Sequence, residues 1–397
     1  MSVKLNAVCE LIVDCPHSTE PDEGQGYSII RTPNIGRGYL DFDGVQRVGK
    51  EAYDRRNARA IPRPGDLILA REAPAGNVGI IPEGMDVCLG QRTVLIRPNR
   101  DEVSPLYLNY YLNAPKQRHR LLSNANGATV SHVNMPIIRN LPVDLPPLPA
   151  QHRIAGVLAA YDKLIENNRR QIKLLEEAAQ RLYKEWFVDL RFPGHETIPI
   201  HNGFPEGWRR TTVGKVSSLV SRGITPVYND SSNQLILGQR CVRNNLVDFS
   251  FARRHRPKAF NEKWLKPWDV LINSTGTGSL GRTAQFWSNG DNVTVDSHIT
   301  IVRAEKRELA AYLGQWAFSN EAMIEALHTG STGQTELPRD RVAGCSLLVP
   351  SDDLLDTFYG FLEPAAAKIV ETQRQITAAR EARDRLLPKL MSGEIEV

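Results

Sequence analysis

The chain has 397 residues, 41% of them apolar, with 49 Lys and Arg against 45 Asp and Glu and a formal net charge of +4. That length predicts two or three domains with ordinary cores. No apolar run approaches the ~18 residues that cross a bilayer, and the opening MSVKLNAVCE lacks the shape of an export signal, so a cytoplasmic protein with no membrane partner is expected.

In chain order, elements recur in pairs. An early polar turn, Asp14–Thr19, has a counterpart at Ser221–Pro226. A strand-like stretch at Tyr27–Thr32 answers to Leu235–Arg240. A turn and buried strand at Pro64–Leu69 matches Pro267–Ile272, and a glycine-bracketed turn at Gly76–Gly79 matches Gly278–Gly281. The strand Gln91–Arg97 pairs with Ser297–Arg303, and short helical segments follow at Leu106–Leu112 and Tyr312–Phe318. Gly127-Ala128-Thr129 and Gly330-Ser331-Thr332 form a last pair of loops. Strands ending in Pro, Leu141–Pro149 and Ser346–Pro350, lead into a long helix in each half, and Pro146, Pro147 and Pro149 predict extended backbone before the first.

Those two helices carry the clearest repeat. Ile154, Leu158, Tyr161, Ile165, Asn168, Ile172, Leu175, Ala179, Leu182 and Trp186 alternate in steps of four and three. About 204 residues on, Phe358, Leu362, Ala365, Ile369, Thr372, Ile376, Ala379, Arg383, Leu386 and Leu390 repeat the seam with two polar interruptions. Such a stripe packs one helix lengthwise on another. At 1.5 Å per residue the first helix would be roughly 48 Å long, enough to span about 14 base pairs. Pro364 predicts that the second helix begins near that point or bends. Asn168 and Thr372 occupy equivalent seam positions, either as buried register-setting groups or at a solvent-lapped edge. A period this long indicates a duplicated module rather than a solenoid. The expected organisation is a first module over 1–150, a helical region over 151–190, a linker over 191–207, a second module over 208–350 and a distal helical region over 351–397. The fold class is α+β, two tandem mixed α/β domains each followed by a long helix.

Catalytic motifs fail on inspection. Gly44-Val45-Gln46-Arg47-Val48-Gly49-Lys50 matches G-x-x-x-x-G-K, but Glu51 stands where a P-loop needs Ser or Thr, so a surface turn between strands is expected. Gly276–Gly281 matches G-x-G-x-x-G, but the following residues read as a strand where a dinucleotide site needs a helix. Cys9, Cys15, Cys88, Cys241 and Cys345 include no C-x-x-C pair and read as reduced, mostly buried thiols. No catalytic site, metal site or cofactor site is expected in this chain.

The remaining signals concern binding. Arg253, Arg254, Arg256 and Lys258 form a basic strip suited to phosphates. Asn, Gln and Arg read base edges. On that basis the loop candidates are Arg71, Asn77, Gln91, Arg92 and Thr129 in the first half. In the second they are Arg222, Asn273, Thr275, Ser279, Arg282, His298, Thr332 and Gln334.

Taken together, the chain resembles the specificity (S) subunit of type I restriction-modification systems. The resemblance rests on Leu145–Leu158, Asp162–Glu166, Leu182–Phe187, Ser221–Pro226 and Arg385–Glu394, and spans nearly the whole length. It implies two target-recognition domains reading the unlike halves of an interrupted double-stranded DNA site. It also implies two helical regions paired antiparallel with pseudo-twofold symmetry, docking two modification (methyltransferase) subunits. S-adenosylmethionine, ATP and magnesium would then belong to the modification and restriction/translocase subunits. On the residues alone, a stand-alone methyltransferase or nuclease and a coiled-coil scaffold remain the alternatives.

Overall fold

The computed structural model describes residues 2–123, 132–256, 262–288, 292–330 and 335–397. It divides into two compact units, Met1–Glu166 with Thr377–Val397, and Asn167–Ile376. The division passes through both long helices, so each unit holds one module together with a stretch of each helix.

In the first unit, Cys9–Asp14, Thr93–Pro98, Leu67–Ala70 and Val78–Ile80 form a four-stranded antiparallel sheet in that spatial order. Its central strands, LILA and TVLIRP, are buried along their whole length, which is why neither alternates apolar with exposed polar residues. A three-stranded sheet of Arg47–Val48, Tyr27–Ile30 and Val87–Leu89 lies alongside, its last pair parallel. Ser2–Lys4 pairs with Pro142–Asp144. The helix Pro105–Asn113 starts with proline in its first turn behind Ser104, whose hydroxyl accepts from the Tyr107 N–H. Its buried face joins Leu67, Leu69, Val94 and Ile96 in one core.

The second unit repeats these three sheets and adds two short hairpins, Ile200–His201 with Phe204–Pro205 and Val242–Arg243 with Leu246–Val247. Ser217–Arg222, Ile299–Ala304, Asp269–Asn273 and Thr283–Phe286 form the four-stranded sheet. Arg253–Arg254, Leu235–Leu237 and Val293–Val295 form the three-stranded one, and Arg209–Thr212 pairs with Ser346–Val349. A register shift recurs in the first strand of both large sheets, at Cys9/Leu11 and Ser217/Leu219. So does a buried clasp. Arg97 donates from Nε and Nη2 to Asp66 at 3.0 and 2.8 Å, and Arg303 does the same to Asp269 at 2.8 and 2.7 Å. In each case the carboxylate also takes a backbone N–H three residues upstream, from Arg63 or Lys266. One carboxylate thus closes a turn and holds a strand in both modules.

The long helices run over Leu148–Tyr183, followed by a π-helical turn at Lys184–Val188, and over Asp352–Ser392. Within each unit they pair antiparallel. In the first, Ile154 and Leu158 share a core with Leu390, and Arg383 reaches Asp162 at 2.5 Å. In the second, Asn168 donates to Gln375 at 3.3 Å, Thr372 to Gln171 at 3.4 Å, and the Trp186 and Phe358 rings lie 5.9 Å apart. Ile154, Leu158, Ile165, Ile172, Phe358, Leu362, Ile369, Ile376 and Leu390 are buried, while Tyr161, Leu175, Leu182 and Leu386 are half-buried. Asn168 and Thr372 are 7% and 0% exposed, so they sit inside the seam rather than at a wet edge. Arg383 is accommodated on the seam because Asp162 neutralises it, and the same carboxylate accepts from Tyr110.

Several expectations need correction. The distal helix starts at Asp352, well before Pro364, and its helical assignment passes through that residue. Pro364 is exposed and its i−4 partner is Gly360, where even an added Cβ would meet nothing within 4 Å. Pro149 lies inside the first turn of the proximal helix, where its missing N–H costs nothing, rather than in extended backbone. Residues 191–207 are folded. Phe192 stacks near Trp208, both buried, and Ile200–His201 pairs with Phe204–Pro205. The P-loop-like stretch is not a turn between strands, since Arg47–Val48 leads directly into the helix Lys50–Arg56. The Gly49 N–H there donates to Glu23 at 2.9 Å, so the chain's own carboxylate sits where a phosphate would. The second glycine motif is followed by the strand Thr283–Phe286, as its sequence suggests.

Candidate nucleic-acid interface

Within each large sheet, antiparallel pairing gathers strand ends from distant parts of the chain at one rim. In the first unit this rim gathers Asp14, where Cys9–Asp14 ends, Arg71, just after Leu67–Ala70, and Arg92, just before Thr93–Pro98. The Arg71 N–H donates to the Arg92 carbonyl at 2.8 Å, and Val133 donates to the Arg71 carbonyl at 3.0 Å, which brings His132 alongside.

A chain of polar contacts then crosses the rim. Arg71 Nη1 donates to both Asp14 oxygens at 2.9 and 2.8 Å and its Nε to the Val133 carbonyl at 2.9 Å. Arg71 Nη2 lies 2.7 Å from His132 Nε2, and His132 Nδ1 lies 2.5 Å from Glu72. A guanidinium only donates, so in this arrangement Nε2 accepts from Arg71 and Nδ1 faces Glu72. Glu72 in turn holds Arg92 at 2.6 Å. Arg71 is 8% exposed, and its donors are consumed inside the protein. Asn77, also 8% exposed, donates to the Ile35 carbonyl and accepts from Arg118. Both position the rim and present nothing outward, a correction to their reading as direct contacts. Gln91 is half-buried and ties the loop after Asp14 through His17 and Thr19. Arg92 alone of the first-half candidates that are described has an exposed side chain, 59% accessible.

The same loop has a second anchor that sequence reading missed. Arg56, with its side chain fully buried, donates to the Leu89, Ser18 and Pro16 carbonyls at 2.6, 3.0 and 3.2 Å and lies beside Glu20. A single arginine in a short helix gives no signal of that role.

The second unit keeps the frame and changes the chemistry. The Ser274 N–H donates to the His298 carbonyl, and Leu337 to the Ser274 carbonyl, both at 2.8 Å, reproducing the bonds around Arg71. Ser274 thus stands for Arg71, Thr275 for Glu72, His298 for Arg92, Arg222 for Asp14 and Glu336 for His132. Arg222 donates to Glu336 at 2.7 Å and to the Leu337 and Ser297 carbonyls. Thr275 Oγ1 lies 2.9 Å from His298 Nδ1 and accepts from Gln239. Asn273 is 0% exposed and donates to the Gln239 carbonyl, so it too is structural rather than a contact. Ser279 closes its own turn onto Gly276. Arg282 and His298 are exposed.

Beside this rim lies a basic strip. Arg253, Arg254 and Arg256 are exposed; Arg253 stacks 3.2 Å from the Tyr228 ring centre, and Arg254 donates to the Ser232 carbonyl. His255, between Arg254 and Arg256, is fully buried. Arg240 and Arg243 lie over Phe251 at 4.3 and 5.6 Å, an arginine–aromatic pairing absent from the sequence-derived candidates. Thr129, Lys258, Thr332 and Gln334 lie outside the described residues. Among the described residues no group of three or more His, Cys, Asp or Glu is placed to hold a metal ion, and no helix is long and apolar enough to cross a membrane. The cysteines are free, and burial pushes the Cys88 thiol up to about 12.

The same sheet frame is thus used twice with unlike rims, and the long helices pair along a heptad seam. Residues 1–177 match the family model of the type I restriction modification DNA specificity domain. The chain is 24% identical over 371 residues to the type I restriction enzyme MjaIX specificity subunit of Methanocaldococcus jannaschii, a match covering 89% of this chain and 83% of that one. It is 30% identical over 218 residues to the putative MjaX specificity subunit of the same organism, covering 53% and 51%. In fold it is similar to the solved S subunit of the type I restriction-modification system from M. genitalium, with a TM-score of 0.59 at 14% identity over 98% of this chain and 95% of that one. In sequence and in fold the chain is similar to type I restriction-modification specificity subunits, and its first 177 residues carry the match to the specificity domain.

Proposed function

We propose that this chain supplies the DNA address of a type I restriction-modification complex and performs no bond chemistry of its own. Each module reads one part of an interrupted duplex site, and the two parts differ in sequence. Two modification subunits, and restriction/translocase subunits, dock on the chain. S-adenosylmethionine, ATP and magnesium are held by those partners.

One observation carries this reading: the same scaffold is present twice, clasp for clasp, while the side chains at equivalent rim positions differ in charge and type. A duplicated frame conserves how a groove is approached, and changed rim chemistry changes which base edges fit. The exposed arginines at 253, 254 and 256 supply sequence-independent attraction to phosphates.

The test is selection from a random duplex pool by the chain together with its modification subunit. The recovered sequences should share one motif of two unlike parts, with binding that weakens steeply as salt rises. Recovery of no common motif, or methyl transfer by the purified chain alone, would refute the reading.

A further inference from the structure

We propose that Arg92 is the residue that selects guanine at one position of the first module's half-site, and that His298 holds the equivalent reading position in the second. The inference rests on the DNA-recognition reading above and names the side chains that carry it.

Three observations converge on Arg92. First, its position is built rather than incidental. Its Nη1 is held by Glu72 at 2.6 Å, Glu72 by His132, and His132 by Arg71, which is anchored on Asp14 and the Val133 carbonyl. Four successive groups, half-buried to buried, orient one exposed guanidinium. Beyond that contact the guanidinium makes no hydrogen bond among the described residues, which leaves paired donors for the O6 and N7 acceptors that guanine shows in the major groove.

Second, its backbone is strained. Arg92 has φ +63°, a conformation in which glycine or asparagine would be relaxed. Strain kept at an exposed arginine is explained by what the side chain does.

Third, the duplication provides an internal comparison. The residue in front of the central strand is exposed and tethered from the neighbouring loop in both modules, Arg92 by Glu72 and His298 by Thr275. The backbone bonds that place the two are the same. The tip chemistry differs, a fork of donors in one and an imidazole in the other, and the left-handed backbone is found at Arg92 and not at His298. A purely structural pair would have no reason to keep its exposure and tether while exchanging its functional group.

The experiment maps methylated motifs in cells that express the full chain with its modification subunit. The variants are Arg92→Gly, Glu72→Gln and His298→Ala. Arg92→Gly relieves the backbone strain, so the complex should melt no lower than wild type. Its motif should nevertheless lose the guanine requirement at one position of one part by about tenfold or more, with the other part unchanged. Glu72→Gln should relax the same position less, because it loosens the tether and keeps the guanidinium. His298→Ala should alter a single position in the other part.

An unchanged motif in Arg92→Gly would overturn the proposal. So would a uniform loss of methylation at every site without relaxed sequence, because that is the behaviour of a phosphate anchor. If the wild-type complex itself marked no two-part motif, the DNA-recognition reading would fail first, and the two failures are distinguishable.

Discussion

Replacing Glu176 with Gln should make the second unit's stability less dependent on pH between about 5 and 8. Glu176 lies one turn beyond Ile172 in the proximal helix, half-buried, with Oε1 covered and without a hydrogen-bond partner among the described residues. Burial pushes its carboxyl up from 4.5 to about 8. The sign follows directly. A carboxyl whose folded value is raised stabilises the fold most when protonated, so its contribution is fully present below about 4.5 and is lost as pH rises through about 8. The gap between those values corresponds to a ceiling of about 5 kcal/mol. Because the side chain is only half-buried, water screens part of that penalty and roughly half is expected. Chemical unfolding at pH 5 and pH 8.5 should therefore show Glu176→Gln gaining on wild type by about 2–3 kcal/mol at the higher pH and by little at the lower. The comparison with wild type removes the contribution of every other titrating group. Equal differences at both pH values would mean that water already reaches Oε1 and that the helix pairing is looser there than described.

Two further outcomes test the frame. Truncating Ile172, 7% exposed in the seam, to Ala should cost about 2–5 kcal/mol in unfolding free energy, whereas Leu174→Ala, 59% exposed two residues away, should change it by less than about 0.5 kcal/mol. Equal effects would show that the heptad stripe is not the packed face. Asp269→Asn should destabilise by about 3–5 kcal/mol, because it leaves the largely buried Arg303 guanidinium without its carboxylate. A loss under about 1 kcal/mol by the same measurement would mean that solvent reaches Arg303 and that the clasp is dispensable.

The features legible in the sequence were those that depend on periodicity and on turn chemistry. Steps of four and three from Ile154 to Trp186, and again from Phe358 to Leu390, put one side of each helix in the core whatever else the chain does. Short apolar stretches behind turn signals, such as LILA after Pro64-Gly65-Asp66, are consistent with strands buried on both faces. Duplication was visible because both halves had to satisfy the same constraints. The chemistry of the rim was a different matter. Arg71, Asn77 and Asn273 look outward-facing as residue types, yet each is consumed by a carbonyl or carboxylate that the chain brings in from far along the sequence: Val133 and Asp14, Ile35, and Gln239. Arg56, Arg240 and Arg243 had no local pattern to announce them, and residues 191–207 read as a linker although Phe192 finds Trp208. Periodicity reports which face a residue occupies, and that is a local property. Whether a polar side chain is free or spent depends on the partner opposite it, which strand order and loop path decide only after the chain has folded.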